Sequence, residues 1–487
     1  MTFIFDNTYV RLPARFYERR APYPVARPGL VKLNLALADQ FGIDPDALNS
    51  ADGLAILAGN QVPAGAAPLA MAYAGHQFGR FVPQLGDGRA ILLGEIVTPS
   101  GQHLDLQLKG SGRTAFSRAG DGRAALGSVL REYLISEAMA ALGIPTTRSL
   151  AVVTTGEPVY REVPLPGAVL TRVAQGHVRV GTFEYFSARQ DIDALRRLAD
   201  YVIARHYPEA QEDERPYRAM LDAVIARHAT LVARWLSVGF IHGVMNTDNA
   251  AISGETLDYG PCAFMDHYHP GQVYSSIDHQ GRYAYANQPY IAHWNLAQFA
   301  QALLPLLDVD PDRAIREAQS AVDAFPDQFD RAWLDCFRAK LGLIEVADDD
   351  HNLIDALLDA MASGVADFTN TFRALADAAA GAEALLRSQF SDTALIDAWL
   401  SRWRVRLAKE STDTAARVIA MHRANPLVIP RNHQVEAALN AAEEGDLTAF
   451  DALLQILVNP WDDRPGVTPY TRPPQPHEII AQTFCGT

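Results

Sequence analysis

The sequence predicts an α+β fold: a β-rich region over residues 71–166, a mostly helical region over 167–330, and a helical extension over 331–487 ending in a Pro-rich tail. Three observations carry this. His103–Lys109 alternates strictly, Leu104, Leu106 and Leu108 facing one way and His103, Asp105, Gln107 and Lys109 the other, which is strand periodicity. Leu126, Val129, Leu130, Tyr133 and Leu134 recur at helical spacing. From Tyr290 to about Ile456 the chain is Ala- and Leu-rich, with helical patterning and no internal repeat.

Composition bounds the function. The 487 residues allow two or three domains, and one two-lobed catalytic unit with a helical extension fits equally well. With 48 % hydrophobic residues the chain can fill a core. Its 42 Lys and Arg against 57 Asp and Glu give a net charge of −15, which argues against nucleic acid as the main partner. Three cysteines, Cys262, Cys336 and Cys485, are too few for a disulfide scaffold and suit a reducing compartment. The start, MTFIFDNTYVRLP, lacks a basic region followed by an apolar one, and no apolar run reaches spanning length. A cytoplasmic monomer with no membrane partner is therefore expected.

Each element follows in order. Residues 1–70 mix Pro-rich turns with a helical stretch near Val31–Phe41 and are expected to pack on the domain after them. Met71–Gly79 leads into a strand at Arg80–Leu85 and a turn at Gly86-Asp87-Gly88-Arg89. Ala90–Thr98 is β-rich, Pro99-Ser100-Gly101 turns the chain, and His103–Lys109 returns. A Gly-rich passage, Gly110–Gly122, holds Arg113, Arg118 and Asp121. A helix then runs from about Arg123 to Leu142, stopped by Gly143 and Pro145. Ser149–Thr155 and Glu157–Glu162 read as strands, and Gly167–Arg172 leads out of the β region. Amphipathic helices follow at Ile192–His206 and Tyr217–Leu236. After Gly260 the chain is irregular and rich in His and Asp, but Asp266, His267, His269, Asp278 and His279 match no zinc spacing.

The chemistry concentrates in Phe240–Gly260, FIHGVMNTDNAAISGETLDYG. Ala250-Ala251-Ile252, a Ser253-Gly254-Glu255 turn and Thr256-Leu257 form a predicted hairpin that brings Asn249 close to Asp258. An amide oxygen beside a carboxylate suits Mg²⁺, which also takes water and phosphate oxygens. Upstream, Gly86-x-Gly88 alone is a weak phosphate signal. Lys109, one hairpin further on, gains weight because its side chain can reach phosphates held by that turn. Glu132 and Glu137 are both candidates to pair with Lys109 from the following helix. Arg172 and Arg179, in a Gly-containing segment of an acidic protein, suggest an anion site.

These motifs resemble the protein-kinase pattern H-R-D-x-x-x-x-N followed by D-F-G. His242 and Asn249 take the first and eighth places, and Asp258-Tyr259-Gly260 resembles the second motif. The resemblance implies a kinase-like two-lobed fold, with a β-rich small lobe and a helical large lobe. At the third place, where a kinase has its catalytic Asp, this chain has Val244, which cannot take a proton.

A closer resemblance is to selenoprotein O, a family of pseudokinase-like protein adenylyltransferases. It is carried by Ala74-Gly75-His76-Gln77-Phe78-Gly79, Gly86-Asp87-Gly88-Arg89, Leu108-Lys109-Gly110-Ser111-Gly112 and Asp121-Gly122. It continues through Arg172, Arg179, Asn246-Thr247-Asp248-Asn249, Leu257-Asp258-Tyr259-Gly260, Asp278-His279-Gln280-Gly281-Arg282-Tyr283 and Ile429-Pro430-Arg431-Asn432. The resemblance implies transfer of AMP from ATP to a Ser, Thr or Tyr hydroxyl of a protein, with ATP flipped relative to kinases. It assigns Gly86, Gly88, Arg89, Lys109, Asp121, Gly122, Arg172 and Arg179 to the nucleotide. It pairs Glu132 with Lys109, gives Mg²⁺ or Mn²⁺ to Asn249 and Asp258, and makes Asp248 the base. Members also transfer UMP from UTP. Some bacterial members pair the tail cysteine, here Cys485, with one in the segment after D-F-G, where this chain has Tyr274 or Ser275; Cys262 is the nearby substitute.

Three other readings exist. An aminoglycoside-kinase-type phosphotransferase would keep an Asp where Val244 stands. An inactive nucleotide-binding scaffold would not need Lys109, Asn249 and Asp258 together. A redox-sensing interaction protein would rest on Cys485 alone.

Overall fold

The computed structural model describes residues 3–484 and is a mixed α/β chain with an antiparallel sheet and a helical C-terminal region. The N-terminal segment supplies β1 (Tyr17–Arg19), β2 (Gly29–Leu33) and three short helices, α1 (Leu35–Gln40), α2 (Pro45–Leu48) and α3 (Ala51–Leu57). Then come β3 (Leu69–Met71), β4 (Gly75–Gln77), β5 (Arg80–Val82), β6 (Ala90–Val97), β7 (His103–Lys109) and β8 (Ala124–Ala125). Helix α4 (Leu126–Ala141) separates them from β9 (Arg148–Tyr160) and β10 (Pro164–Ala174). The sheet order is β1-β3-β6-β7-β10-β9-β2, with β8 against β10, so the N-terminal segment caps both edges. The sheet thus ends on strands of only three and five residues, and short edge strands limit the open ladder available for association.

Several expected boundaries move. The helix expected near Val31–Phe41 is a strand to Leu33, paired with β9; helix starts only at Leu35, where the Asn34 side chain accepts from Leu37 N–H. Arg80–Leu85 does not join the sheet: Arg80–Val82 pairs with β4 in a separate ribbon. The helix expected from Arg123 begins at Leu126, because Ala124 and Ala125 first pair with Ala168 and Gly167. Ser149–Thr155 and Glu157–Glu162 fuse into the single strand β9.

Strand β7 is covered on both faces. Leu104, Leu106 and Leu108 pack into a cluster with Leu37, Leu48 and Leu57 of the N-terminal helices. On the opposite face Asp105, Gln107 and Lys109 are also buried, so that face is not open to solvent. Burying charge is costly unless it is paired, and Asp105 meets Arg205 at 2.7 Å and His177 at 2.9 Å.

After the sheet come α5 (Val180–Ser187), α6 (Ile192–His206) and α7 (Pro216–Ser237). The two-stranded β11 (Phe240–Ile241) and β12 (Ala263–Phe264) bracket the chemical stretch, and α8 (Gln288–Leu307) follows it. Helices alternate with short turns from Pro311 to Leu457. Among the described residues no helix is long and apolar enough to cross a membrane. The C-terminal region is tied back by Arg431, whose buried guanidinium meets Asp367 at 2.8 Å and Asp266, just after β12, at 2.5 Å. Thr483 bridges Ser275 in parallel and donates its hydroxyl to Pro261 O at 2.6 Å. Cys485 lies outside the described residues, and Cys262 is buried.

Candidate functional site

A cleft of about 720 Å³ lies between the turn before β6, the 116–123 loop, and the segment from Val244 to Pro261. Gly86, Gly88, Arg89, Lys109, Asp121, Gly122, Arg172, Arg179, Asp248, Asn249 and Asp258 all line it. Glu132 does not line it and is set back on α4, behind Lys109.

Lys109 ends β7, where the strand delivers its side chain to the cleft floor. Its ammonium donates to Glu132 Oε2 at 2.6 Å and to Asp258 Oδ1 at 2.5 Å. Arg172, its neighbour on β10, donates through Nε to Glu132 Oε1 at 2.7 Å and through Nη2 to Asp258 Oδ1 at 3.0 Å. Glu132, not Glu137, is therefore the partner: Glu137 instead holds Arg148 at 2.6 Å and Ser149 N–H at 3.1 Å. Burial would raise the Asp258 carboxyl, but Lys109 and Arg172 outweigh it and hold it well below the usual carboxylate range. Asp258 has φ +64°, a left-handed conformation uncommon outside glycine that an aspartate tolerates better than most residues.

The hairpin before Asp258 is smaller than expected. Ala250 and Thr256 form a single bridge instead of two strands. Helix α7 holds it in place: Arg227 donates to Ser253 O at 3.1 Å, His228 meets Ala251 O at 2.9 Å, and Trp235 donates to Thr256 Oγ1 at 2.9 Å. His242 is buried as a support, its Nε2 on Leu257 O at 3.1 Å, and burial lowers its pKa.

Asn249 donates its amide to Val244 O at 3.0 Å, which leaves its Oδ1 as the atom available to a cation. With ionised Asp258 on the same cleft wall, that donor pair is hard oxygen of the kind Mg²⁺ prefers. Among the described residues no three His, Cys, Asp or Glu side chains gather into a metal cluster. Asp266 pairs with Arg431, and Asp278 accepts from the Arg282 and Tyr283 N–H groups.

Asp248 is 7 % exposed. Its Oδ2 accepts from Gln77 Nε2 at 3.3 Å, while Oδ1 is buried against Gly75 with no hydrogen-bond partner. Burial pushes the carboxyl up to about 6, against the lowering by Arg179 and the Gln77 hydrogen bond. The ribbon that carries Gln77 is itself pinned. His76 N–H donates to Thr247 Oγ1 at 2.7 Å, the His76 ring meets Glu184 at 2.5 Å, and Phe78 N–H donates to Asn246 Oδ1 at 3.0 Å.

Arg179 crosses the cleft wall over the Tyr73 ring at 4.3 Å, donates to Asp248 O at 3.1 Å and stands 3.5 Å from Asp87. Asp121 is at the outer rim, paired with Arg161 at 2.9 Å; that bond outweighs partial burial and lowers its pKa. Sequence reasoning missed Asp87, Gln77 and Tyr73. Asp87 sits in a Gly-x-Gly turn and reads locally as a turn residue; its partner Arg179 is far away in sequence. Gln77 stands within the Ala74–Gly79 motif, which marks the stretch but gives the residue no role.

The model for "Protein adenylyltransferase SelO" matches residues 1–458. A protein from Bradyrhizobium sp. (strain BTAi1 / ATCC BAA-1182), "Protein nucleotidyltransferase YdiU", is 61 % identical over 487 residues, covering 100 % of this chain and 99 % of that one. Proteins of the same name from Rhodopseudomonas palustris (strain BisB18) and Rhizobium etli (strain CFN 42) are 59 % and 57 % identical, covering 100 % of this chain and 99 % and 97 % of theirs. The chain belongs to the SelO family of protein adenylyltransferases and is an enzyme of the nucleotidyltransferase class.

Proposed function

We propose that this enzyme transfers AMP from ATP to Ser, Thr or Tyr hydroxyls of protein substrates, from a kinase-like two-lobed fold, with UTP and UMP as a second pair. The observation that carries this reading is the side chain at position 244. Val244 lines the cleft where a phosphotransferase of this pattern needs a carboxylate, while Asp248 lines it beside the cations. Lys109, Arg172 and Arg179 concentrate positive charge in a partly desolvated cleft, which suits a polyphosphate and a departing pyrophosphate.

In the proposed step the acceptor oxygen forms a bond to the α-phosphorus, and the bond from that phosphorus to the bridging oxygen of the β-phosphate breaks. Asp248 takes the hydroxyl proton, and pyrophosphate leaves toward the arginines. Asn249 and Asp258 would hold Mg²⁺ or Mn²⁺, which would offset charge on the phosphate oxygens. Glu132 keeps Lys109 and Arg172 in place. Gly86, Gly88, Arg89, Asp121 and Gly122 would close over the rest of the nucleotide.

Labelled ATP tests the reading. Protein labelled from α-labelled but not γ-labelled ATP is the expected result. The opposite pattern would make the chain a phosphotransferase, and binding of ATP with no labelling from either would make it an inactive scaffold.

A further inference from the structure

Beside the ribbon residue Gln77, which lines the cleft, stands an aromatic and cationic cluster whose own residues lie outside the cleft lining. His76 and Phe81 of the ribbon stand 5.0 Å apart, and His76 meets Trp294 of α8 edge-on at 5.2 Å. Arg282 lies over Trp294 at 4.9 Å and beside Tyr283 at 5.8 Å. Gly79 makes room for it: at φ +78°, a Cβ there would stand 3.4 Å from the guanidinium carbon. Phe81 is 40 % exposed.

The charge on Arg282 is uncompensated. Among the described residues it makes no ion pair, and its buried Nε has no hydrogen-bond partner. Of the arginines that line the cleft, Arg123, Arg161, Arg172 and Arg179 each have a carboxylate, while Arg89 and Arg118, like Arg282, make no ion pair among the described residues. Two short links join the patch to the transfer point. Gln77, next to His76, lines the cleft and donates to Asp248. Tyr283, next to Arg282, donates to Asn246 Oδ1 at 2.6 Å, and Asn246 lines the cleft two residues before Asp248.

We propose that this patch is the docking platform for the acceptor polypeptide, and that Arg282 selects acceptors with an acidic side chain near the hydroxyl. The inference rests on the protein-transfer reading above. Aromatic residues and arginine are the side chains that dominate protein-binding hot spots. The platform is continuous with the cleft, so a segment lying on it presents its hydroxyl toward Asp248. A guanidinium over the Trp294 ring can take a carboxylate through two parallel hydrogen bonds, and an amide cannot replace that contact.

Peptides with one Ser, Thr or Tyr, made in pairs that differ only by Asp or Asn near the hydroxyl, test this with α-labelled ATP and the full chain. Wild type should label the Asp member with kcat/KM higher by about tenfold, the discrimination a charge-assisted pair can supply. Arg282→Met, which keeps the apolar stem over Trp294, should erase that preference with ATP affinity by calorimetry unchanged. Phe81→Ala should raise KM for both members of a pair together. Equal wild-type rates on both members, or a preference that survives Arg282→Met, overturns the platform. Self-labelling of the chain with no labelled peptide leaves the transfer reading standing and sinks the platform. Absence of any α label in peptide or chain sinks the transfer reading and the platform with it.

Discussion

Glu132 accepts a hydrogen bond from Lys109 Nζ at 2.6 Å, joining α4 to the end of β7 behind the cleft. Its other oxygen holds Arg172, so one buried carboxylate orients two cations that line the cleft. Glu132→Gln keeps the shape and removes the charge. Breaking one partner out of a buried ion network costs about 3–5 kcal/mol, and urea unfolding should show a loss of that order together with lost transfer. Glu137→Gln, which disturbs contacts to Arg148, Ser149 and Asn34 away from the cleft, should lower stability and leave ATP affinity intact. Equal effects of the two substitutions on ATP binding would remove the special place given to Glu132.

The two arginines should separate. Arg172 is committed to the carboxylates of Glu132 and Asp258, whereas among the described residues the one carboxylate Arg179 approaches is Asp87, at 3.5 Å, and its Nε has no hydrogen-bond partner. Arg179→Ala should therefore weaken ATP binding by about tenfold or more, since its charge is the more available in a low-dielectric cleft. Arg172→Ala should also weaken it, with a larger stability loss. Calorimetry that finds wild-type ATP affinity in both variants would remove the arginines from the nucleotide site.

For the metal, Asp258→Asn and Asn249→Ala should each abolish Mn²⁺ binding measured by electron paramagnetic resonance in the presence of nucleotide. Thermal unfolding should confirm that both variants still fold. Undiminished Mn²⁺ binding in both variants would mean that the cation is held elsewhere.

Much of the site was legible because its parts are local. The alternation of His103–Lys109 located Lys109 at a strand end, and the stretch from His242 to Gly260 kept its motif spacing within one short segment. Sequence could not choose between Glu132 and Glu137, which lie five residues apart on the same buried helix; only the packing of α4 on the sheet does so. Asp87 and Arg179 meet across a long stretch of chain, a kind of pairing that no local pattern encodes. The fused strand β9 was misread because Gly156 and Pro158 look like a break. The chain passes Gly156 at φ +72° and continues in the sheet, with a register shift near Pro166 of the partner strand.

The tether between α7 and the hairpin has a pH signature. Burial lowers His228 from its ordinary 6.5 to about 4, so the fold favours the neutral ring on Ala251 O. That contribution is complete above pH 6.5 and is lost as pH falls toward 4, because the unfolded chain takes up a proton that the folded one resists. At about 1.4 kcal/mol per pKa unit, the window is worth at most about 3.5 kcal/mol. His206, lowered to about 3 by burial and Arg205, adds in the same direction. Glu255, raised to about 7 by burial, acts oppositely, losing stability as pH rises. Comparing His228→Gln with wild type at each pH isolates the first effect. The variant should lose less stability between pH 6.5 and 4.5, and parallel curves would rule the tether out as an acid-sensitive point.

The contact between Gln77 and Asp248 allows the sharpest test of how the proposed base is held. Gln77 Nε2 stands 3.3 Å from Asp248 Oδ2, and the ribbon carrying it is fixed by His76, Glu184 and Thr247. The other oxygen has no partner, so this amide is the one side-chain hydrogen bond that orients the carboxylate among the described residues. Asp248→Asn should retain ATP binding and lose transfer by roughly 10²–10⁴-fold, the usual worth of general-base help. Gln77→Leu should lower kcat by a smaller factor, leaving ATP affinity and Tm near wild type. If Gln77 acts only by orienting Asp248, the double variant should be no slower than Asp248→Asn alone. Two side chains with independent roles would instead multiply their effects. Full additivity in that cycle would therefore break the link between them. An Asp248→Asn enzyme with wild-type turnover would remove the base itself, and Gln77 would then need another role.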